Sequence, residues 1–160
     1  MALFDSIRAG ASAATESYQI ERSLMLNDND QTYLTFTPAA QGNRRKYTIS
    51  WWMKHNTAGY EPEDGQDHYL FSARRGSNNP QTDINFKGNR LCFEGVTGGS
   101  YEYSVATERR FRDVGCWYHF VIQFDTTQGT AANRIKVWVN GQQETDFTGN
   151  NVGLSYPSQD

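Results

Sequence analysis

Side chains that can move protons are the first test of what this chain does. Hydrolysis of a glycosidic bond needs two carboxyl groups facing one cleft, about 5–9.5 Å apart. On a strand, that means acidic residues at i and i+2 or i+4. Glu61, Glu63, Asp64 and Asp67 are close in sequence, but Pro62 and Gly65 mark their segment as a loop. Glu94 and Glu102 can approach each other across a hairpin, and there they read as charges on a wet sheet face. The histidines are His55, His68 and His119, and no nucleophile elbow accompanies them. His119 alternates with an apolar set, so it faces the opposite side of its strand. No catalytic residue is expected, and the chain reads as a non-enzyme.

Metal and sugar chemistry come next. Residues 27–30, Asn-Asp-Asn-Asp, carry oxygen side chains suited to calcium. They lack the glycine and distal glutamate of an EF-hand loop, so a turn is the better reading and no cofactor is expected. No Cys/His spacing supports zinc. Trp52, Tyr60, Tyr101, Tyr103 and Trp138 each sit at a polar or loop-facing position. Exposed aromatics among polar neighbours suit a glycan platform or a contact with a partner chain.

These residues need a scaffold, and 160 residues supply one domain's worth. A chain of that size needs no disulfide or metal staple. Aromatic residues make up 14%, with 14 Gly and 4 Pro, a balance that favours strands and tight turns. Mean hydropathy is -0.75, so apolar residues must alternate with polar ones. Net charge is -3, which argues against a general nucleic-acid binder. The short basic runs Arg44-Arg45-Lys46, Arg74-Arg75 and Arg109-Arg110 read as rim residues. Cys92 and Cys116 lie in strand-like runs and read as buried, unbridged thiols. No signal peptide or bilayer-spanning run is visible.

Residues 1–22 read as an arm, with Leu3, Phe4, Ile7 and Ala11 at helical spacing before a small-residue linker. From residue 23 the texture is β. Residues 24–26 and 33–36 read as short strands. Tyr47, Ile49, Trp51 and Met53 alternate with Thr48, Ser50, Trp52 and Lys54. A further strand covers residues 69–73. Gly88-Asn89, Gly98-Gly99 and Asn140-Gly141 sit where two-residue hairpin turns belong. Tyr118, Phe120, Ile122 and Phe124 alternate with Trp117, His119, Val121 and Gln123. Ile135, Val137 and Val139 form a strand that returns over residues 142–147. About ten short strands make an all-β, two-sheet antiparallel jelly-roll sandwich over residues 23–160. Trp51 and Trp117 are expected as core anchors.

Residues 43–54, Asn-Arg-Arg-Lys-Tyr-Thr-Ile-Ser-Trp-Trp-Met-Lys, resemble a segment of laminin-G-like, concanavalin-A-like jelly rolls from bacteriophage structural proteins. Phe111-Arg112-Asp113 with Trp117-Tyr118-His119 is similar to that family's strand entry. Asp125-Thr126-Thr127-Gln128 with residues 133–141 resembles its hairpin, and Tyr156-Pro157-Ser158-Gln159 the loop that follows. The resemblance covers roughly residues 23–160. One departure is that nothing after Gly153 supplies the usual closing strand. An edge is then left for more chain or a neighbouring chain to cover.

The resemblance implies a virion protein assembled in the host cytoplasm, in the first instance a tail fibre or appendage. Leu3, Phe4 and Ile7 would anchor residues 1–22 to the particle. The sandwich would serve assembly, as a homo-oligomer with other virion proteins, or recognition of host-surface carbohydrate. A capsid decoration protein and a carbohydrate-binding module outside any virion remain alternatives.

Overall fold

The computed structural model describes residues 22–26, 32–54, 68–74 and 81–148. Its strands, in chain order, are β1 (Lys46–Lys54), β2 (His68–Arg74), β3 (Gln81–Lys87), β4 (Arg90–Thr97), β5 (Ser100–Arg110), β6 (Trp117–Asp125), β7 (Ile135–Val139), β8 (Gln142–Glu144) and β9 (Phe147–Thr148). A 3-10 turn, Ala131–Asn133, precedes β7. No described helix is long and apolar enough to cross a membrane.

Residues 1–41 and 42–160 form two units. In the first, residues 22–26 and 32–41 carry no helix or strand. The strands expected at residues 24–26 and 33–36 are therefore absent. A strand keeps its shape by pairing its backbone, and among the described residues no ladder includes these segments. Their apolar side chains, Leu34 and Phe36 among them, are exposed.

The second unit has the expected two-sheet antiparallel architecture. One sheet has the order β1-β6-β7-β8, the other β2-β3-β4-β5-β9. All three proposed turns form. Gly88 and Asn89, Gly98 and Gly99, and Asn140 and Gly141 have φ between 50° and 82°. Two consecutive positive φ values match the twist of the flanking strands, and these residue types reach them at little cost. The expected return strand is split. Gln142–Glu144 pairs with β7, then the chain crosses and Phe147–Thr148 pairs with β5 in the other sheet.

Alternation decides which side chains fill the space between the sheets. Phe120, Ile122 and Phe124 of β6, Val137 and Val139 of β7, and Ile84, Phe86, Leu91 and Phe93 opposite are all buried. Tyr47, Ile49, Trp51 and Met53 of β1 pack against this core and are only partly buried. Each fully buried apolar side chain contributes about 1.5–3 kcal/mol. Aromatic rings meet edge-on across the core, as Phe86 does with Phe111 at 5.8 Å and Phe111 with Phe120 at 5.1 Å. Trp51 stacks on Phe120 at 5.3 Å, as an anchor should.

Trp117 does not behave as the anchor it was expected to be. It is 48% exposed, because it shares the outward phase of His119 and Val121 while Tyr118 takes the inward one. Cys92 is buried, but Cys116 lies exposed just before β6, and neither is in a disulfide. Of the basic runs, Lys46 and Arg109 are exposed rim residues, reaching Asp125 at 3.6 Å and Glu144 at 2.9 Å, and Arg75 lies outside the described residues.

Candidate functional site

Each sheet turns one face inward and one away, and the two outward faces differ. On the four-stranded sheet, β1 presents Ser50, Trp52 and Lys54 outward, β6 presents Trp117, His119 and Val121, and β7 presents Lys136 and Trp138. The register sets them in rows. Lys54 lies opposite Trp117, Trp52 opposite His119, and Ser50 opposite Val121. Val121 in turn lies opposite Trp138, and Gln123 opposite Lys136.

One pair on this face is held tightly. The Trp52 and His119 rings stack with centroids 4.7 Å apart and planes 13° from parallel. Ser50 Oγ lies 2.9 Å from His119 Nε2, a hydrogen bond whose direction follows the imidazole tautomer. The His119 backbone N–H donates to Asn140 Oδ1 at 2.8 Å, and the Asn140 N–H donates to His119 O at 2.8 Å. The β7–β8 turn therefore clamps the strand that carries the imidazole. Trp52 still exposes 50% of its surface, and Trp138 is half-buried. Flat indole surfaces beside hydroxyl, amide and ammonium groups can stack on the C–H faces of sugar rings and hydrogen-bond their substituents.

On the five-stranded sheet, the outward face of β3 and β4 is polar and buried. Asp83 lies directly opposite Glu94, and the two are 2% and 6% exposed. The expectation of a wet face at Glu94 therefore fails. Asp83 accepts from Ser72 Oγ at 2.7 Å and Gln81 Nε2 at 2.9 Å. Glu94 accepts from Lys87 Nζ at 2.9 Å, Asn85 Nδ2 at 3.2 Å and Ser104 Oγ at 3.2 Å. Buried carboxylates persist where such partners replace water. Asn85 Oδ1 has no partner in this network. Glu102, the other half of the proposed carboxylate pair, does not face Glu94, whose opposite residue is Ser104.

A third polar group closes the end of the four-stranded sheet. The Asp125 carboxylate accepts from Thr127 Oγ1, Gln128 Nε2 at 2.7 Å and the Thr127 N–H at 3.1 Å. The Thr127 hydroxyl is the largest cause of a carboxyl pKa lowered to about 2, followed by Gln128, against an opposing effect of burial. Thr126 N–H and hydroxyl both donate to Arg45 O, tying the end of β6 to the start of β1. This explains the Asp-Thr-Thr-Gln sequence: it is a structural clasp.

The aromatic candidates separate. Trp52 and Trp138 share the outward face of the four-stranded sheet. Tyr101 is exposed on the outward side of the five-stranded sheet, where Lys87 Nζ sits 5.9 Å from its ring centroid. Tyr103, expected as a contact residue, is fully buried and out of reach of a partner. The reason is a bulge: Gly95 pairs with Tyr103 and Val96 with Tyr101, so the ladder skips Glu102 and the two tyrosines face opposite ways. The Tyr103 ring lies over Gly95, where a Cβ would collide with it. Tyr60, Leu3, Phe4, Ile7, the acidic loop 61–67 and the loop 27–30 lie outside the described residues. Among the described residues, no three His, Cys, Asp or Glu side chains converge as metal ligands. Trp117, Lys54 and Lys136 were missed as members of the Trp52 face. The phase of the alternation along β1, β6 and β7 held the signal.

Comparison with known proteins bears on the fold. The profile of a family described as the concanavalin A-like lectin/glucanases superfamily matches residues 27–159. No curated protein matches the chain. Among solved structures, the native heptameric SAP-like pentraxin from Limulus polyphemus is similar at 19% identity and a TM-score of 0.41. That alignment covers 68% of this chain and 46% of the pentraxin, so the chain spans less than half of that protein. At this level the likeness carries no functional weight.

Proposed function

Because this chain belongs to the concanavalin A-like lectin/glucanases superfamily, whose fold hosts enzymes and non-enzymes alike, we propose that it is a non-catalytic binding module of a bacteriophage appendage. Its task is recognition of host-surface carbohydrate. The observation that carries the binding role is the outward face of the four-stranded sheet, where the Trp52–His119 stack and Trp117 stay exposed. The non-catalytic reading is supported by Asp83 and Glu94. A general acid or base must reach a proton on substrate, and these buried carboxylates already accept from Ser72, Gln81, Lys87, Asn85 and Ser104. The virion reading is supported by the ordered motifs at residues 43–54, 111–119, 125–141 and 156–159.

The test is a phage carrying Trp52→Ala. Quantitative mass spectrometry of purified particles should find wild-type copy number, while adsorption to host cells falls at least about tenfold, the size of a binding hot spot. Loss of the protein from variant particles would make the face an assembly contact instead. Absence from wild-type particles would remove the virion role altogether.

A further inference from the structure

Charge on the Trp52 face is distributed unlike charge on the rest of the chain. The whole protein carries a net charge of -3. On this face the ionisable side chains among the described residues are Lys54, Lys136 and His119, with Lys46 and Asp125 together at one end. That single carboxylate is already held by Thr127, Gln128 and Lys46. Among the described residues of β1, β6 and β7, no other carboxylate faces outward beside the indoles.

The two lysines also sit where a stacked ligand would need them. Lys54 is two residues beyond Trp52 on the same strand, so both project outward, and it lies across from Trp117. Lys136 is two residues before Trp138 on β7, again on the same face, across from Gln123. Each outward indole of β1 and β7 is thus paired with an outward ammonium on its own strand. Neighbouring strands are about 4.8 Å apart and i to i+2 positions about 7 Å apart, so the Trp–Lys pairs of β1 and β7 span a row of sugar rings.

From this arrangement, and resting on the carbohydrate-binding role proposed above, we infer that the ligand is an acidic polysaccharide. Its ring C–H faces lie on Trp52 and Trp138, and its carboxylates meet Lys54 and Lys136. A carboxylate gains a charge-assisted hydrogen bond from each ammonium. The indole needs no rearrangement, because His119 already holds it in place, which lowers the entropy cost of binding. A neutral glycan would use the indoles but leave both ammoniums without a role.

The probe pair is polygalacturonate and its fully methyl-esterified form, which share a backbone and differ in charge. Binding of the full chain to each, immobilised on a biosensor, is measured at two salt concentrations. The expected result is binding to the acid form only, weakening with salt. Lys54→Gln and Lys136→Gln should each lower affinity about two- to fivefold, as exposed ion pairs do. Trp52→Ala should lower it at least about tenfold. Circular dichroism of each variant shows whether it is folded. Equal binding to both forms, lost in Trp52→Ala, overturns the acidic preference and leaves the platform standing. Binding to the acid form that ignores Trp52→Ala is adsorption of a polyanion and overturns the inference. Failure to bind either form overturns it for uronate chains. The platform itself is then judged separately by adsorption of the Trp52→Ala phage to cells.

Discussion

The outward face of β3 and β4 sets Asp83 beside Glu94 and buries both, whereas the outward face of β1 and β6 leaves Trp52 and Trp117 about half exposed. Ordinary composition would reverse this, with carboxylates in water and indoles inside. The polar face departs from that rule with nearly every acceptor filled, which is what a structural network looks like. The aromatic face departs from it with the Trp52 ring held by His119 but uncovered. An exposed apolar group whose orientation is fixed points to a contact still to be made.

That contrast is exposed to direct attack. The largest effect is expected on the polar face. Glu94→Ala removes the partner of Lys87, Asn85 and Ser104 together, and urea unfolding should show a loss of about 3 kcal/mol or more. A loss below about 1 kcal/mol would mean the network is surface decoration. Gly95→Ala comes next. The added methyl meets the Tyr103 ring, and the cost should be about 2–3 kcal/mol by the same measurement. Tyr103→Leu in the same chain should recover part of it, since the clash is with the ring.

Acid titration sharpens the comparison at the sheet's end. The Asp125 carboxyl has its pKa lowered from 3.8 to about 2 in the folded chain. Its stabilising contribution is therefore complete above the unfolded value and is lost as pH falls from about 4 to about 2. An Asp125→Asn variant lacks this titration. Its unfolding midpoint should lie below wild type at neutral pH and converge with it near pH 2. The smallest stability effect is expected at the aromatic face. Trp52→Ala should change unfolding by only about 0.5 kcal/mol, the range of exposed positions, even though binding collapses. Equal losses at Glu94 and Trp52 would erase the distinction between the two faces.

How far the sequence foretold this follows from what each signal depends on. The three hairpin turns were legible because Gly and Asn at two adjacent positions answer a purely local demand for positive φ. Strand β1 was legible because its nine residues alternate without interruption. The placement of Tyr103 was not, since one skipped residue on β5 inverts the phase, and its cause lies partly on β4 at Gly95. Trp117 was misplaced because its bulk was given more weight than its phase along β6. Asp83, Asn85 and Glu94 were unreadable as buried groups, because burial of a charged residue depends on partners from β2, β3 and β5. The split of the return strand followed from a crossover to the other sheet at residues 145–146, which no local pattern announces.

The pairing of β1 with β6 has a kinetic consequence. It joins Lys46 to Asp125 across most of the second unit, while β3, β4 and β5 are joined by turns of two residues. Closing short loops is entropically cheap and fast, and long ones come later. The β3–β4–β5 meander should therefore be the folding nucleus, and β1 the last strand to arrive. Substitutions such as Phe93→Leu would then slow folding, whereas Ile49→Val would act mainly by speeding unfolding; φ-values near zero for both would refute that order. The Trp52 face, half of which rides on β1, would exist only at the very end of folding. A nascent or partly folded chain would not yet present that face.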